Sequence, residues 1–106
     1  MNWDQVRKLS QDKLFTIGGH SHTHQILEYL PQPELENEIS VSMEKLEEQL
    51  DYLVKHYSYP EGLENCYSDR VINVLKQHGI VCAPSAIHGT NRVGDNLFHL
   101  KRIMVV

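Results

Sequence analysis

Three of the chain's seven histidines fall within five residues, His20-Ser21-His22-Thr23-His24. Neutral imidazole is the commonest protein ligand for zinc and similar divalent ions, and His20 and His24, four apart, have the spacing of a ligand pair. A catalytic zinc usually takes three protein ligands and leaves a position for water, so the pair needs a further donor, most suitably a carboxylate. On spacing alone, a run of solvated loop histidines is as good a reading. His22 reads as a solvated neighbour of the pair. His56, His78, His88 and His99 are scattered singly, as surface or partly buried histidines usually are.

The surrounding pattern says what must position this cluster. Trp3, Val6 and Leu9 recur at helical spacing with Asp4 in the first turn, which predicts a short helix over 2–10. Leu14-Phe15-Thr16-Ile17 predicts a strand that Gly18-Gly19 ends. The histidines then lie just past a strand end, where α/β sheets and barrels build their sites. After Pro31 and Pro33, Leu35, Ile39, Met43, Leu46, Leu50 and Leu53 recur at intervals of three and four. This predicts a long helix over 33–55 with one buried stripe and a Glu-rich face in solvent. His56-Tyr57-Ser58-Tyr59 forms a short run before the turn Pro60-Glu61-Gly62. Val71, Val74 and Leu75 mark another helix that Gly79 closes. Ile80 to Ala83 predicts a strand, Gly89 to Asn96 a polar loop, and Leu100 to Val106 a final strand. Helices alternating with short apolar strands point to βα units around a parallel sheet.

Several of these segments resemble, in order, the motifs of one family. Phe15 to His24 resembles the second motif of the polysaccharide deacetylase (NodB-homology) family, H-S/T-x-x-H after an E-I-G-S-H strand. Trp3 to Leu9 is similar to the helix that precedes that strand. Tyr57-Ser58-Tyr59-Pro60-Glu61-Gly62 is similar to the third motif in its F-A/S-Y-P-x-G form. Val74 to Ile80 with Ala83 resembles a later helix and strand, and Leu100-Lys101-Arg102-Ile103 a late L-x-R-I strand. The resemblance runs through nearly the whole chain.

It implies an α/β fold, a partial (β/α) barrel of the polysaccharide-deacetylase type truncated at its N-terminal strands, with residues 1–106 as a single, incomplete domain. It also implies metal-dependent hydrolysis of carbon–nitrogen bonds other than peptide bonds, removing N-acetyl groups from a carbohydrate substrate. His20 and His24 would hold a divalent metal, zinc being the expected ion, and Tyr59, Pro60 and Gly62 would wall the substrate groove. The family's Asp-Asp first motif, which supplies the base and another ligand, has no counterpart here, because each Asp of the chain is isolated. Ser58 stands where an Arg often precedes the Pro of the third motif, and the late L-x-H motif is not evident. The alternative is therefore a catalytically silent module that keeps the fold and binds metal or sugar without turnover. Missing early strands would leave sheet edges and apolar faces unpaired, which leads to the expectation of a homo-oligomer.

Composition narrows the remaining classes. The chain has 106 residues and a formal net charge of −4, with no block of Lys or Arg, which argues against nucleic acid as a partner. No segment approaches the roughly 18 consecutive apolar residues of a membrane span, and the charged N-terminus does not resemble a signal peptide. Cys66 and Cys82 are too few and too far apart for a disulfide scaffold or zinc knuckle and read as reduced thiols.

Overall fold

The computed structural model describes residues 1–105. Helix α1 spans Trp3–Ser10 and starts in a reciprocal capping box: the Asn2 side chain accepts from the Gln5 N–H, and the Gln5 side chain accepts from the Asn2 N–H, each at 2.9 Å. Helix α2 spans Gln32–Leu50, with Pro33 in its first turn, where a missing N–H costs nothing. It buries Leu35, Glu38, Ile39, Ser42, Met43 and Leu50. Helix α3, Asp69–Gln77, buries Val71, Ile72, Val74 and Leu75. Gly79, at φ 82°, then takes the left-handed conformation that glycine reaches without penalty.

The extended segments lie side by side and run parallel. Gly19 bridges Tyr57, His56 bridges Cys82, and strand β1 (Pro84–His88) pairs with strand β2 (Leu100–Arg102). Neighbours in this order are also neighbours in sequence, and α2 and α3 fill the first two crossovers, as parallel pairing requires. Pairing is sparse, and its register shifts between Pro84 and His88. Pro84 has no N–H to give, and the Ala86 N–H turns away from β2 to the Gly62 carbonyl at 2.8 Å.

Side chains alternate across these segments, and the two faces meet different environments. Gly19, Tyr57, Tyr59, Ala83 and Ser85 are buried on the helix side, in a core that includes Leu27, Leu35, Ile39, Val71 and Leu75. Thr16, Gly18, His20, His56, Ser58, Cys82 and Pro84 face the other way and border an open cavity of about 450 Å³. No helix among the described residues is long and apolar enough to cross a membrane.

Four element boundaries differ from expectation. No strand forms at Leu14 to Ile17: a turn carries the chain out of α1, and Leu14 and Phe15 are exposed. Only Gly19 enters the ladder, so the glycine pair does not terminate a strand. Helix α2 stops at Leu50 because Asp51 adopts φ 61°, with its N–H bonded to the Glu47 carbonyl, and this removes Leu53 from the buried stripe. The Ile80 to Ala83 run pairs only at Cys82, and the strand proper lies further on, in β1. The final strand ends at Arg102, while Val106 lies outside the described residues.

Two truncations check the helix boundary. Ile39→Ala, at a position with no exposure, should cost about 2–5 kcal/mol in urea unfolding. Leu53→Ala, where Leu53 is 71% exposed, should shift stability by no more than about 0.5 kcal/mol. A large loss at Leu53 would show that the helix continues through it.

Candidate metal centre

The histidine loop is built on the buried faces of α2 and of the Tyr57 segment. The Tyr57 ring lies so close against the Gly19 backbone that a Cβ on residue 19 would sit 2.5 Å from the ring. Glycine is required there for close approach. The Tyr57 hydroxyl, at the far end of that ring, accepts the Ser21 N–H at 2.7 Å and lies 2.8 Å from Ser42 Oγ. Because Ser42 gives its single proton to the Ile39 carbonyl, the phenol donates to Ser42. Ser21 N–H, Tyr57, Ser42 and the α2 backbone thus form one directed chain of hydrogen bonds.

Glu38 secures the next residues. Its carboxylate accepts the N–H groups of His22 and Thr23, both at 3.0 Å, and the Thr23 hydroxyl at 2.6 Å. The loop turns through two left-handed residues, Ser21 at φ 64° and His24 at φ 60°. Each such conformation costs a non-glycine residue roughly 1–2 kcal/mol. A hydrogen bond from the His24 N–H to Ser21 Oγ, at 2.9 Å, helps hold the turn closed.

This scaffold brings the His20 and His24 rings edge to face, with centroids 4.8 Å apart. His20 Nδ1 lies 3.0 Å from the Ser58 carbonyl. A carbonyl can only accept, so Nδ1 carries a proton, and in the neutral imidazole that metal binding requires Nε2 keeps its lone pair. A backbone carbonyl behind one ring nitrogen is the usual means of presenting the other to a metal. Both histidines are exposed and border a cavity of about 390 Å³ together with Tyr59, Glu61, Leu63, Ala86, Arg102 and Met104. No cluster of three or more His, Cys, Asp or Glu with metal-binding geometry occurs among the described residues. The residues present fit one side of a metal site.

The other expected site residues occupy different depths. Tyr59 borders the cavity, but its ring is buried, stacked on Tyr67 at 4.1 Å, and its hydroxyl donates to the Phe98 carbonyl. Pro60 and Gly62 are buried and are not among the residues that line the cavity. The Gly62 N–H is spent on the Pro60 carbonyl at 2.7 Å, whereas the Tyr59 N–H has no acceptor among the described residues. Glu38 and Ser42 escaped the sequence reading, which has Tyr57 and Arg102 only as members of the third motif and of the late strand. For Glu38 and Ser42 a signal was present, since both fall on the same arc of α2 as Leu35, Ile39 and Met43.

Burial shapes the ionisation of these groups. For Glu38 burial alone would raise the pKa, but the hydrogen bonds from the Thr23 hydroxyl and the Thr23 and His22 N–H groups, with the nearby His22 ring, hold it below the usual carboxylate value. Burial pushes the Tyr57 phenol up to about 12, outweighing the hydrogen bond it accepts from the Ser21 N–H. Tyr59, Tyr67 and the Cys82 thiol are also raised, in each case chiefly by burial.

The family model for polysaccharide deacetylase matches residues 1–83. The chain belongs to the polysaccharide deacetylase family. Among solved structures it is similar to the Streptococcus pyogenes deacetylase PplD in complex with acetate, at 20% identity and TM-score 0.88, covering 100% of this chain and 45% of that one. It is also similar to the BpsB deacetylase domain from Bordetella bronchiseptica, at 17% identity and TM-score 0.87, covering 99% of this chain and 49% of that one. A polysaccharide deacetylase from Bacillus cereus aligns at 24% identity and TM-score 0.78, over 97% of this chain and 32% of that one. The chain spans less than half the length of these structures. Together they show the fold to be α/β, a partial barrel of the deacetylase type. No curated protein sequence matches the chain.

The Tyr57 phenol yields a prediction at alkaline pH. Its folded pKa, about 12, lies above its ordinary value of 10.0, so the protonated form stabilises the fold fully below pH 10. That contribution is lost as pH rises from about 10 towards 12. Denaturant midpoints should fall across this window. Tyr57→Phe should be less stable at neutral pH by about 1–3 kcal/mol, because the Ser21 N–H loses its partner, and should show a shallower alkaline fall. An equally steep fall in the variant would assign the effect to other groups.

Proposed function

We propose that the chain carries the two-histidine side of the centre of a metal-dependent hydrolase that removes N-acetyl groups from a carbohydrate, cleaving a carbon–nitrogen bond other than a peptide bond. The observation that carries this reading is the His20 and His24 pair, with His20 Nδ1 tied to Ser58 and Nε2 left to bind. The similar structures, a deacetylase and a polysaccharide deacetylase, suggest the reaction class. When bound, a divalent ion, zinc being the expected one, would polarise the amide carbonyl and lower the pKa of a water. The chain's own contributions are the two imidazoles, a groove bordered by Tyr59, and the unspent Tyr59 N–H, which can donate to an oxyanion. Pro60 and Gly62 support that groove from behind by fixing the turn after Tyr59. A carboxylate ligand and the base are then supplied by groups other than the described residues. On this reading residues 1–106 form a single, incomplete domain of the deacetylase type.

A second reading has its own observation. Because no further ligand joins the two histidines among the described residues, the chain alone would be a silent module that keeps the fold without turnover.

Zinc titration by calorimetry, beside a His20→Ala, His24→Ala double variant, tests the site. The wild-type chain should bind, and the variant should bind at least about 10-fold more weakly. Absence of binding to the wild type would remove the metal-site reading and leave the silent module. Acetate release from N-acetylated oligosaccharide then separates turnover from binding alone. The proposal includes a homo-oligomer, supported by the open face of the parallel segments bordered by Thr16, Cys82 and Pro84 and, separately, by the exposure of the apolar Leu14, Phe15 and Val81. Light scattering at micromolar concentration should give at least twice the monomer mass, and a monomer would remove this part.

A further inference from the structure

Glu38 is a carboxylate on the apolar arc of α2, where only 7% of it is exposed. Burying a charge is costly unless it is paired or well hydrogen-bonded. Yet Glu38 makes no ion pair with Lys or Arg: the pairs among the described residues are Arg7 with Asp4 and Arg70 with Glu28. Its partners all come from one place, the loop between His20 and His24. The carboxylate is held by two successive backbone N–H groups and one hydroxyl, with the His22 ring nearby.

The two candidate ligands are held differently. His20 follows Gly19, which is locked in the ladder with its N–H on the His56 carbonyl and its carbonyl on the Ser58 N–H, and the His20 ring is itself tied to Ser58. His24 has no comparable anchor. Its backbone is left-handed, its N–H rests on Ser21 Oγ, and the residues on its N-terminal side are held by Glu38. If Glu38 were removed, two N–H groups and a hydroxyl would lose their acceptor, and the strained turn could relax toward ordinary backbone angles. That would swing His24 away from His20.

We propose that Glu38 is a positioning residue for the metal centre, fixing the Ser21 to His24 turn so that the His24 imidazole converges with His20 and placing negative charge behind the ligand loop. The inference rests on the reading of His20 and His24 as ligands. It assigns to a buried α2 side chain the outer-shell role that usually falls to groups touching the ligands themselves.

The test compares Glu38→Gln, Glu38→Asp and Glu38→Ala with the wild-type chain. Zinc affinity is read by calorimetry, and backbone amide exchange and imidazole resonances by NMR in metal-free protein. Glu38→Ala should weaken zinc binding about 10–100-fold. It should expose the His22 and Thr23 amides to exchange while leaving the Gly19 amide protected, and shift the His24 ring resonances more than those of His20, whose ring stays on the Ser58 carbonyl. Glu38→Asp, whose carboxylate is drawn back by a methylene, should behave like Glu38→Ala. Glu38→Gln, which keeps an oxygen for the two N–H groups, should retain more affinity than either. If Glu38→Ala does not fold, the Gln and Asp variants carry the same comparison. Wild-type zinc affinity in a folded variant, or equal disturbance of His20 and His24, would overturn the positioning role alone. A wild-type chain that binds no zinc would overturn the ligand assignment, and the positioning role with it.

Discussion

Tyr57 is where the demands of the fold and of the site meet. Its ring occupies the space that a side chain on Gly19 would fill, which lets the two extended segments pair with α2 packed behind them. Its hydroxyl, too deep to reach water, must find partners within the protein, and it finds Ser42 on α2 and the N–H of Ser21. One side chain thereby ties the core helix, the ladder and the first residue of the turn into a single unit. The tyrosine is 1% exposed, so there is little room to change either its shape or its hydroxyl without moving all three.

The chemistry follows from this arrangement by way of backbone direction. Parallel segments present alternate residues to opposite faces, so placing Tyr57 and Tyr59 against the helices necessarily turns His56 and Ser58 to the open side. Gly19 faces the helices, and His20, the next residue, faces the opening. The Ser58 carbonyl then lies beside the His20 ring and sets its tautomer. Nothing in this requires a metal to be present. The apo fold already selects which nitrogen of His20 is offered.

Polar groups inside the core are the other constraint. Glu38 and Ser42 interrupt an otherwise apolar arc, and each is satisfied by the histidine turn or by the group that holds it. No buried side-chain nitrogen or oxygen among the described residues lacks a partner. Such networks are demanding, because a single missing member leaves a buried group unpaired. They also explain how a turn with two left-handed residues, neither of them glycine, persists on an exposed loop: the strain is offset from beneath.

Local pattern was enough for much of this. The order of segments and the helices around Val6, Ile39 and Val74 follow from spacings of three and four, while the reading of His20 and His24 as candidate ligands draws on the resemblance to the deacetylase motif as well as on their spacing. These signals depend only on near neighbours along the chain. The end of α2 at Asp51 was not legible, because Leu53 continues the apolar period and only the left-handed backbone at Asp51 breaks it. Nor was the role of Gly19, which in sequence looks like a strand terminator and in three dimensions makes room for a ring 38 residues away in the chain. The sequence by itself determined which residues are of a type that can ligate metal and which faces of the helices must be buried, since both are properties of residue type and local period. Only the tertiary structure decided which nitrogen His20 presents, what holds His24 and why a glutamate lies in the core, because each depends on a contact between segments that no local pattern encodes.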